Sequence, residues 1–558
     1  MSVEPAEAAG ETLARHDSLY GDAEKVSGDT RHGSGASWRQ TVLLAFQSIG
    51  VVYGDLGTSP LYTYSGTFPD GVIRHPDDLL GVLSLILYTL ILLPLLKYVF
   101  IVLYANDNGD GGTFALYSLI SRYARIRMIP NQQAEDASVS NYSIPEPGSS
   151  KTKRAQWVKQ RLESSKAARI ALFTVTILGT SMVMGDGSLT PAISGTYSTY
   201  IQQLQVVWIS VAILFMLFSV QRFGTDKVGY SFAPIILVWF VLIAGIGAYN
   251  LAAHDATVLR ALNPMYIVDY FRRNGKQAWL SLGGVVLCTT GTFIIFPSVA
   301  LCYMGQASYL HKFPHDVADT FYKSIPAAMF WPTFIVAILA AIIASQAMLS
   351  GAFAILSKAL SLGCFPRVQV VHTSKKYAGQ VYIPEVNFLI GAASIVVTLA
   401  FQTTTNIGNA YGICVVMVFS ITTHLMTLVM LLVWKKNVAF IAAFYLVFGA
   451  TEMLYLTSIL SKFAEGGYLP FCFSLVLMAL MATWHYVHEK RFIDAELERG
   501  VVYLTGEADV VAAPGSSLMK RVVVNYVYTF LRKNLSESHK ALAIPKDQLL
   551  KVGITYEI

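Results

Sequence analysis

Long apolar runs separated by short polar breaks dominate the hydropathy pattern of this chain. A helix needs about 20 apolar residues to cross the hydrocarbon core of a bilayer. By that criterion the pattern predicts eleven apolar membrane segments, at residues 41–65, 79–104, 169–194, 205–220, 228–250, 277–304, 326–357, 386–402, 408–434, 438–460 and 468–487. The chain is therefore predicted to be an all-α polytopic membrane protein.

The low content of charged residues supports this class. Charged residues make up 14% of the 558 residues, and the mean hydropathy is +0.50, whereas a soluble domain carries about 25% charged residues. The net charge of +6 fits basic cytosolic loops and predicts no nucleic-acid partner. The five cysteines lie in or beside apolar runs without metal-ligand spacing, as is typical of reduced packing residues.

Polar ends flank the apolar region. Residues 1–40 lack an apolar signal segment and are predicted to form a disordered cytosolic tail. Residues 41–487 form the predicted transmembrane domain, which includes a cytosolic loop at 105–168. Residues 488–558 are predicted to form a small cytosolic α/β domain, with a strand in "GVVYLTG" and an amphipathic helix in "SSLMKRVVVNYVYTFLRKN".

Basic loops predict the orientation but conflict with one segment. Placing the basic loop 105–168 in the cytosol puts the N-terminus there as well. If 277–304 crosses once, the basic loops at 365–377 and 434–437 then fall outside, whereas an in-and-out pair would leave both inside. About 28 residues can supply only one full span or a compressed hairpin.

The first apolar segment contains a polar break, "GDLGTSPLY". Gly54 and Gly57 loosen a helix, and Pro60 cannot donate a backbone hydrogen bond. Asp55 and Tyr62 are two helical turns apart and therefore lie near one face. Discontinuous helices with polar groups at mid-depth are typical of binding sites in secondary transporters. The alternative is a kinked helix whose aspartate pairs with a buried base.

The third segment carries a second acid in "GDGSLTPAIS". Asp186, Thr190 and Ser194 follow at i, i+4 and i+8, so they share one face of a helix. Oxygen-only ligands suit a hard alkali cation rather than a transition metal. The alternative for the two hydroxyls is that they hydrogen-bond back to the helix around Pro191.

Weaker polar features lie elsewhere. They are the notch at Thr289, Thr290, Gly291 and Thr292, the cluster at Asn406, Gly408, Asn409, Tyr411 and Gly412, and the glycine-rich turn with Asp107 and Asp110. The turn could cradle an anion, but its two aspartates favour a cytosolic turn packed under the bundle. The sequence has no GxxxxGK[ST], no HExxH and no Ser/His/Asp arrangement, which predicts neither an ATP-driven pump nor another enzyme.

Several long blocks occur in the order of a known family. They are "GVVYGDLGTSPLY", "HPDDLLGVLSLILYTLILLPLLKYVFIVLYANDNGDGGTFALYSLISRYA", "GDGSLTPAIS", "VQRFGTDKVGYSFAPIILVWF", "FPSVALCYMGQASYL", "GCFPRVQVVHTSKKY" and "IGNAYGICVV". With these blocks the chain resembles the Kup/HAK/KT potassium transporters, in their plant branch.

The resemblance implies a fold, an activity and a set of ligands. The fold would be LeuT-like (APC superfamily), with two inverted five-helix repeats and two extra helices. The activity would be potassium uptake by proton symport, with potassium ion and proton as substrates and no cofactor. Matched by motif, the potassium ligands would be Asp55, Tyr62, Asp186, Thr190, Ser194, Thr290 and Tyr411. The resemblance also implies a multi-pass protein with both termini cytosolic, in the plasma membrane or alternatively in a vacuolar or other internal membrane, with a homodimer as one option.

Three departures from the family pattern indicate a shortened form. Phe293 stands where the family has a glutamate, and the end of helix six, the following loop and the start of helix seven are missing. The sequence "GTYSTYIQQLQ" replaces the usual continuation after "TPAIS". Most of the cytoplasmic domain expected between "WHYVHEKR" and "GVVYLTGEADV" is absent, leaving a remnant.

Three functions therefore remain open. The first is a potassium–proton symporter. The second is a transport-impaired splice isoform that associates with full-length transporters. The third is an amino-acid transporter, because one fold can serve both substrates. A site of two aspartates and hydroxyls matches a cation better than a substrate carboxylate.

Overall fold

The computed structural model describes residues 38, 57–68, 71–107, 111–124, 150–195, 203–221, 225–289, 296–366, 368–372, 381–401, 404–497, 508–512, 520, 522–528 and 554–557. Within these residues, eight helical stretches are long and apolar enough to cross a membrane: Pro76–Tyr104, Lys166–Thr190, Phe232–Ala253, Ala327–Ser361, Pro384–Phe401, Ile407–Leu432, Val438–Leu460 and Tyr468–Val487. The prediction of a helical polytopic membrane protein is confirmed.

The described helices follow the predicted segments in order. They are α1 Thr63–Thr67, α2 Pro76–Leu90, α3 Thr113–Tyr123, α4 Ser150–Ser164, α5 Lys166–Gly195, α6 Gln203–Val220, α7 Thr225–Ala253, α8 Met265–Asn274, α9 Lys276–Val285, α10 Phe296–Lys312, α11 Thr320–Lys323, α12 Phe330–Ser361, α13 Pro384–Phe401, α14 Thr404–Leu432, α15 Val438–Phe444, α16 Ala450–Leu460 and α17 Tyr468–Leu497.

Short irregular helices complete the bundle. One-turn 3₁₀ segments precede α1 at Ser59–Leu61 and follow α9 at Val286–Cys288. The second span continues beyond α2 as a π-helical stretch, Ile91–Val99, which contains Pro94. A proline cannot donate the usual backbone hydrogen bond, and a π-helical stretch accommodates that loss.

The strands are few and short. β1 Val371–His372 pairs antiparallel with β2 Val381–Tyr382. β3 Ala508–Val511 pairs parallel with β4 Ile554–Glu557. The strand predicted in "GVVYLTG" lies outside the described residues.

Helix α5 is central and packs against α12, α13, α14 and α17. A Cβ added to Gly185 would lie 3.5 Å from the Sγ of Cys414, and one added to Gly179 would lie 3.1 Å from a methyl group of Ile421. Residue numbers therefore run in opposite directions along the contact, so α5 and α14 are antiparallel.

Helices α9 and α10 each pack against another helix of the bundle at a pair of glycines. A Cβ on Gly284 of α9 would lie 2.3 Å from the backbone of Gly66 in α1, and one on Gly305 of α10 would lie 2.4 Å from the backbone oxygen of Gly247 in α7. Only glycine permits backbones to approach this closely.

The beginning of α9 and the end of α10 lie at the same face of the bundle. Just before α9, the Nε of Arg273 donates to Asp78 at the start of α2, at 2.9 Å. Near the end of α10, the Ser308 hydroxyl donates to the carbonyl oxygens of Asn250 and Asp255, at the end of α7. The 3₁₀ segment Ala256–Leu262, which joins α7 toward α8, packs against both α2 and α10.

The segment predicted at 277–304 is therefore a hairpin. A continuous span, one of the two predicted outcomes, is wrong: α9 has 10 residues and α10 has 17, and neither is among the eight membrane-length stretches in the described part of the chain. The physical reason is tertiary: the Gly284–Gly66 contact holds α9 against α1, the Gly305–Gly247 contact holds α10 against α7, and the start of α9 and the end of α10 are tied to the same face of the bundle.

Candidate cation site

The break in the first helix is held open by side chains of two other helices. The indole Nε1 of Trp239 in α7 donates to the carbonyl oxygen of Gly57 at 2.8 Å. The amide Nε2 of Gln306 in α10 donates to the carbonyl oxygen of Pro60 at 2.9 Å. These donors satisfy carbonyl groups that the missing helical turn leaves without an intrahelical partner.

Gly57 is required by packing as well as by the helix break. A Cβ at this position would lie 2.6 Å from Trp239 Nε1, closer than real Cβ atoms approach a neighbour. A larger residue would push the indole away from the Gly57 carbonyl. The sequence identified Gly57 as a position that loosens the helix, and the structure adds this contact with Trp239.

The start of α1 is fixed by a buried hydroxyl network. The hydroxyl of Thr63 lies 2.9 Å from the hydroxyl of Tyr303 in α10, and it also donates to the carbonyl oxygen of Ser59 at 2.8 Å. Tyr64 donates to the backbone oxygen of Tyr303 at 3.1 Å. Thus α10 is bonded to the broken helix at Pro60, Thr63 and Tyr64.

Predicted ligands from different segments come together. Tyr62, which immediately precedes α1, and Tyr411 in α14 belong to one buried cluster with Leu189 of α5 and Leu287 of the 3₁₀ turn after α9. Asp186 and Thr190 are buried on α5, on either side of Leu189. The structure therefore brings Tyr62 and Tyr411 into one cluster with Leu189 of α5, the helix that carries the buried Asp186 and Thr190.

The other predicted residues are described only in part or not at all. Ser194 lies in α5, but its side chain is outside the described set. Asp55, Gly54 and Thr290 lie outside the described residues. Thr289, next to the predicted notch, is buried and its hydroxyl donates to the carbonyl oxygen of Val286 at 2.6 Å.

Sequence reasoning missed the residues that support the break. Trp239, Gln306 and Tyr303 are polar-tipped residues within apolar runs, which is a weak signal because amphipathic residues are common in membrane helices. Their role depends on which helix they face, and hydropathy does not reveal this.

Sequence reasoning also missed a buried ion pair. Lys97 in the second span donates to Glu452 in α16 at 2.5 Å, and their side chains are 0% and 1% exposed. Lys97 also donates to the carbonyl oxygen of Phe419 at 2.8 Å, and Glu452 accepts from the hydroxyl of Thr423 at 2.7 Å. A signal was available, because each residue is a lone charge in an apolar run.

The glycine-rich turn is described at Asp107 and from Gly111 onwards, whereas residues 108–110 lie outside the described residues. Asp107 is buried and pairs with Arg122 of α3 at 2.7 Å and with Lys358 of α12 at 3.2 Å. Gly112 has a φ of 91°, a left-handed conformation that favours glycine. Asp107 therefore links α3 to α12 through two ion pairs.

Two family models together match residues 42–558 of the chain. The K+ potassium transporter integral membrane domain matches residues 42–296 and 292–489, and the K+ potassium transporter C-terminal domain matches residues 444–558.

Relatives of high identity agree with the family models. Potassium transporter 20 of Oryza sativa subsp. japonica is 59% identical, with 100% of each chain covered. Potassium transporter 5 of Arabidopsis thaliana is 53% identical, covering 97% of this chain and 73% of the relative. Among solved structures, an Eremococcus coleocola manganese transporter is 11% identical, covering 82% of this chain and 97% of that chain with a TM-score of 0.37, which is too low to assign a fold.

The matches also locate missing residues. The integral membrane model aligns in two pieces that meet at residues 292–296, where the sequence places the junction at Phe293. The alignment with Potassium transporter 20 runs over 749 positions. Because this chain has 558 residues, at least 191 of those positions have no counterpart in it.

Proposed function

The chain belongs to the K+ potassium transporter (Kup/HAK/KT) family, and on that premise we propose that it is a secondary potassium uptake transporter working by potassium–proton symport. The observation that carries the proposal is the buried cluster of Tyr62, Leu189 and Tyr411 beside a broken first helix, together with the burial of Asp186 and Thr190 next to Leu189 in the sequence of α5. Discontinuous helices of this kind build cation sites in secondary transporters.

The proposed site uses oxygen ligands alone. Carboxylate, hydroxyl and phenol oxygens replace the water around a potassium ion, and a hard cation prefers such ligands. The full proposed set is Asp55, Tyr62, Asp186, Thr190, Ser194, Thr290 and Tyr411. Potassium and the proton are substrates in this proposal, and no resident cofactor takes part.

The proposed fold is LeuT-like, with the first and the sixth of the predicted apolar segments (41–65 and 277–304) both interrupted at the site. Two features support it. The first helix breaks at Ser59–Leu61, and α9 changes to a 3₁₀ turn at Val286–Cys288. The two interrupted helices meet at the close contact of Gly66 with Gly284.

The hairpin of α9 and α10 supports an orientation. Because both of its ends lie at one face of the bundle, the hairpin adds no crossing. The basic loops at 105–168, 365–377 and 434–437 then fall on one side of the membrane. By the charge bias of short loops that side is the cytosol, together with both termini. The plasma membrane is the proposed location.

A second candidate function rests on the same hairpin. Alternating access moves one helix bundle against another, and in this sequence only residues 286–295 separate α9 from α10. Phe293 also replaces the acid that the family pattern has at this point, and a phenylalanine cannot carry a proton. The second candidate is a transport-impaired isoform that acts by associating with full-length transporters, and a homodimer would be the simplest such assembly.

Rubidium uptake in a potassium-uptake-deficient host tests the first candidate. Asp186→Asn and Asp55→Asn are expected to abolish uptake at unchanged expression, because each removes a carboxylate from the site. Asp269→Asn is the matched control, because Asp269 is an exposed acid on α8. Wild-type uptake by a well-expressed Asp186→Asn protein would overturn the proposed site.

The pH dependence separates the two candidates. A symporter should take up rubidium faster as the external pH falls, since the proton is its co-substrate. A variant with a glutamate, the missing loop and the missing helical turns restored at Phe293 provides the comparison. If only the restored variant transports, the second candidate is supported.

A further inference from the structure

Helix α4 is amphipathic, and one of its faces packs on the bundle. Ala155 and Leu162 are buried, and Val158 packs against the main core. These three positions lie within about 60° of one another around a helix of 3.6 residues per turn. Contacts with α5 and α14 hold this face in place.

The opposite face is basic and carries an exposed tryptophan. The side chain of Trp157 is 67% exposed. Three exposed basic residues flank the indole on the same face, because they lie three or four residues from Trp157 in the helix. They are Lys153, Arg154 and Arg161. The sequence of α4 contains a single acid, Glu163, whose Oε1 lies 3.7 Å from the Nζ of Lys159.

Helix α4 directly precedes one membrane-length helix and contacts the end of another. Only Ser165 separates α4 from α5, whose membrane-length stretch begins at Lys166. Because α5 and α14 are antiparallel, α4 contacts the beginning of one span and the end of the other. Ile170, one turn into the span, is 46% exposed, so the lipid-facing surface of α5 begins beside α4.

We propose that α4 lies in the headgroup layer of the leaflet in which α5 begins and binds anionic phospholipids with its basic face, with Trp157 as its anchor. Tryptophan prefers the interface because its indole ring is apolar and its N–H is polar. Basic residues beside a membrane attract anionic headgroups. Because the apolar face of α4 is packed on α5 and α14, its basic face is the one that remains for the headgroups. The proposal rests on the membrane placement of the proposed function and does not depend on whether this chain transports potassium.

Fluorescence quenching by brominated phospholipids tests the proposal on the full chain. The protein is placed in phosphatidylcholine vesicles that contain an increasing share of brominated phosphatidylserine. The contribution of Trp157 is the difference between the wild type and Trp157→Phe. We expect this contribution to be quenched at a low share of phosphatidylserine, and inorganic phosphate added to the buffer should not reverse the quenching.

Charge variants test the selectivity. The double variant Arg154→Gln/Arg161→Gln should need a roughly 25-fold higher share of brominated phosphatidylserine for half quenching. Each basic residue near a membrane surface strengthens binding to anionic lipid about fivefold. Lys435→Gln/Lys436→Gln removes the same charge from another loop and should leave the curve unchanged. Arg154→Lys/Arg161→Lys should restore it, which separates a charge effect from a folding defect.

Two results would overturn the proposal. If Trp157 is quenched by neither brominated phosphatidylserine nor brominated phosphatidylcholine, another part of the chain or a second copy covers α4. If both lipids quench it equally and the glutamine variants have no effect, the helix does not select anionic lipids. Neither result bears on rubidium uptake, so the proposed function is judged separately.

Discussion

Replacing Lys97 by methionine is expected to destabilise the membrane bundle by about 3–5 kcal/mol, because it leaves the Glu452 carboxylate buried without the ammonium group that it contacts. Methionine has a similar length and no charge, so the change removes the charge with little change in shape. The pair joins the second span to α16, and the variant therefore measures how strongly these two elements depend on each other.

The magnitude follows from the geometry. The two charged atoms are 2.5 Å apart, and both side chains are at most 1% exposed. At an effective dielectric constant of 20, two charges 4 Å apart interact by about 4 kcal/mol, and a shorter distance gives more. Lys97→Met also removes the donor to the carbonyl oxygen of Phe419, whereas Glu452 still accepts the hydrogen bond from Thr423. A buried polar group that loses its partner adds about 1–3 kcal/mol to the cost.

A double-mutant cycle measures the effect. The free energy of unfolding is obtained for the full chain in detergent by reversible denaturant titration of the wild type, Lys97→Met, Glu452→Gln and the double variant. The single variants should each lose several kcal/mol, whereas the double variant should recover most of the loss. The coupling free energy should be on the order of 3 kcal/mol.

Two outcomes would refute this reasoning. If Lys97→Met retains wild-type stability, Glu452 is neutral or solvated. If the double variant loses the sum of the two single losses, the residues do not interact. Lys436→Met, an exposed change, should stay within about 0.5 kcal/mol of the wild type and is the control.

Two further predictions concern the glycine contact and the charged end of α7. Gly247→Ala should lower stability by about 1–3 kcal/mol, because a Cβ there would lie 2.3 Å from the backbone oxygen of Leu301. Gly245→Ala, in the same helix with open space around it, should be nearly neutral in the same denaturant titration, and equal losses would contradict the packing argument. The backbone N–H of Thr257 holds the pKa of Asp255 below its ordinary value of 3.8, so the carboxylate stabilises the fold above that pH and its contribution is lost as the pH falls through the folded pKa. Asp255→Asn should therefore lower the thermal midpoint at pH 7 and have less effect below about pH 4; a gap that stays constant with pH would contradict this.

The class of the protein and most of its membrane segments could be predicted from the sequence. Apolar runs of about 20 residues are a local property, so the spans could be predicted without knowing their neighbours. The polar break around Gly57 and Pro60 was also readable, because glycine and proline act on their own backbone. The oxygen-bearing face of Asp186 and Thr190 followed from helical spacing alone.

Tertiary structure decided which groups meet. Lys97 and Glu452 are 355 residues apart, and no local pattern could pair them. Likewise, Trp239 and Gln306 reach the carbonyl oxygens of the broken helix only because α7 and α10 pack beside it. Hydropathy reports how well a segment tolerates lipid, whereas partners inside the bundle are chosen by close packing and by the need to satisfy each buried polar group.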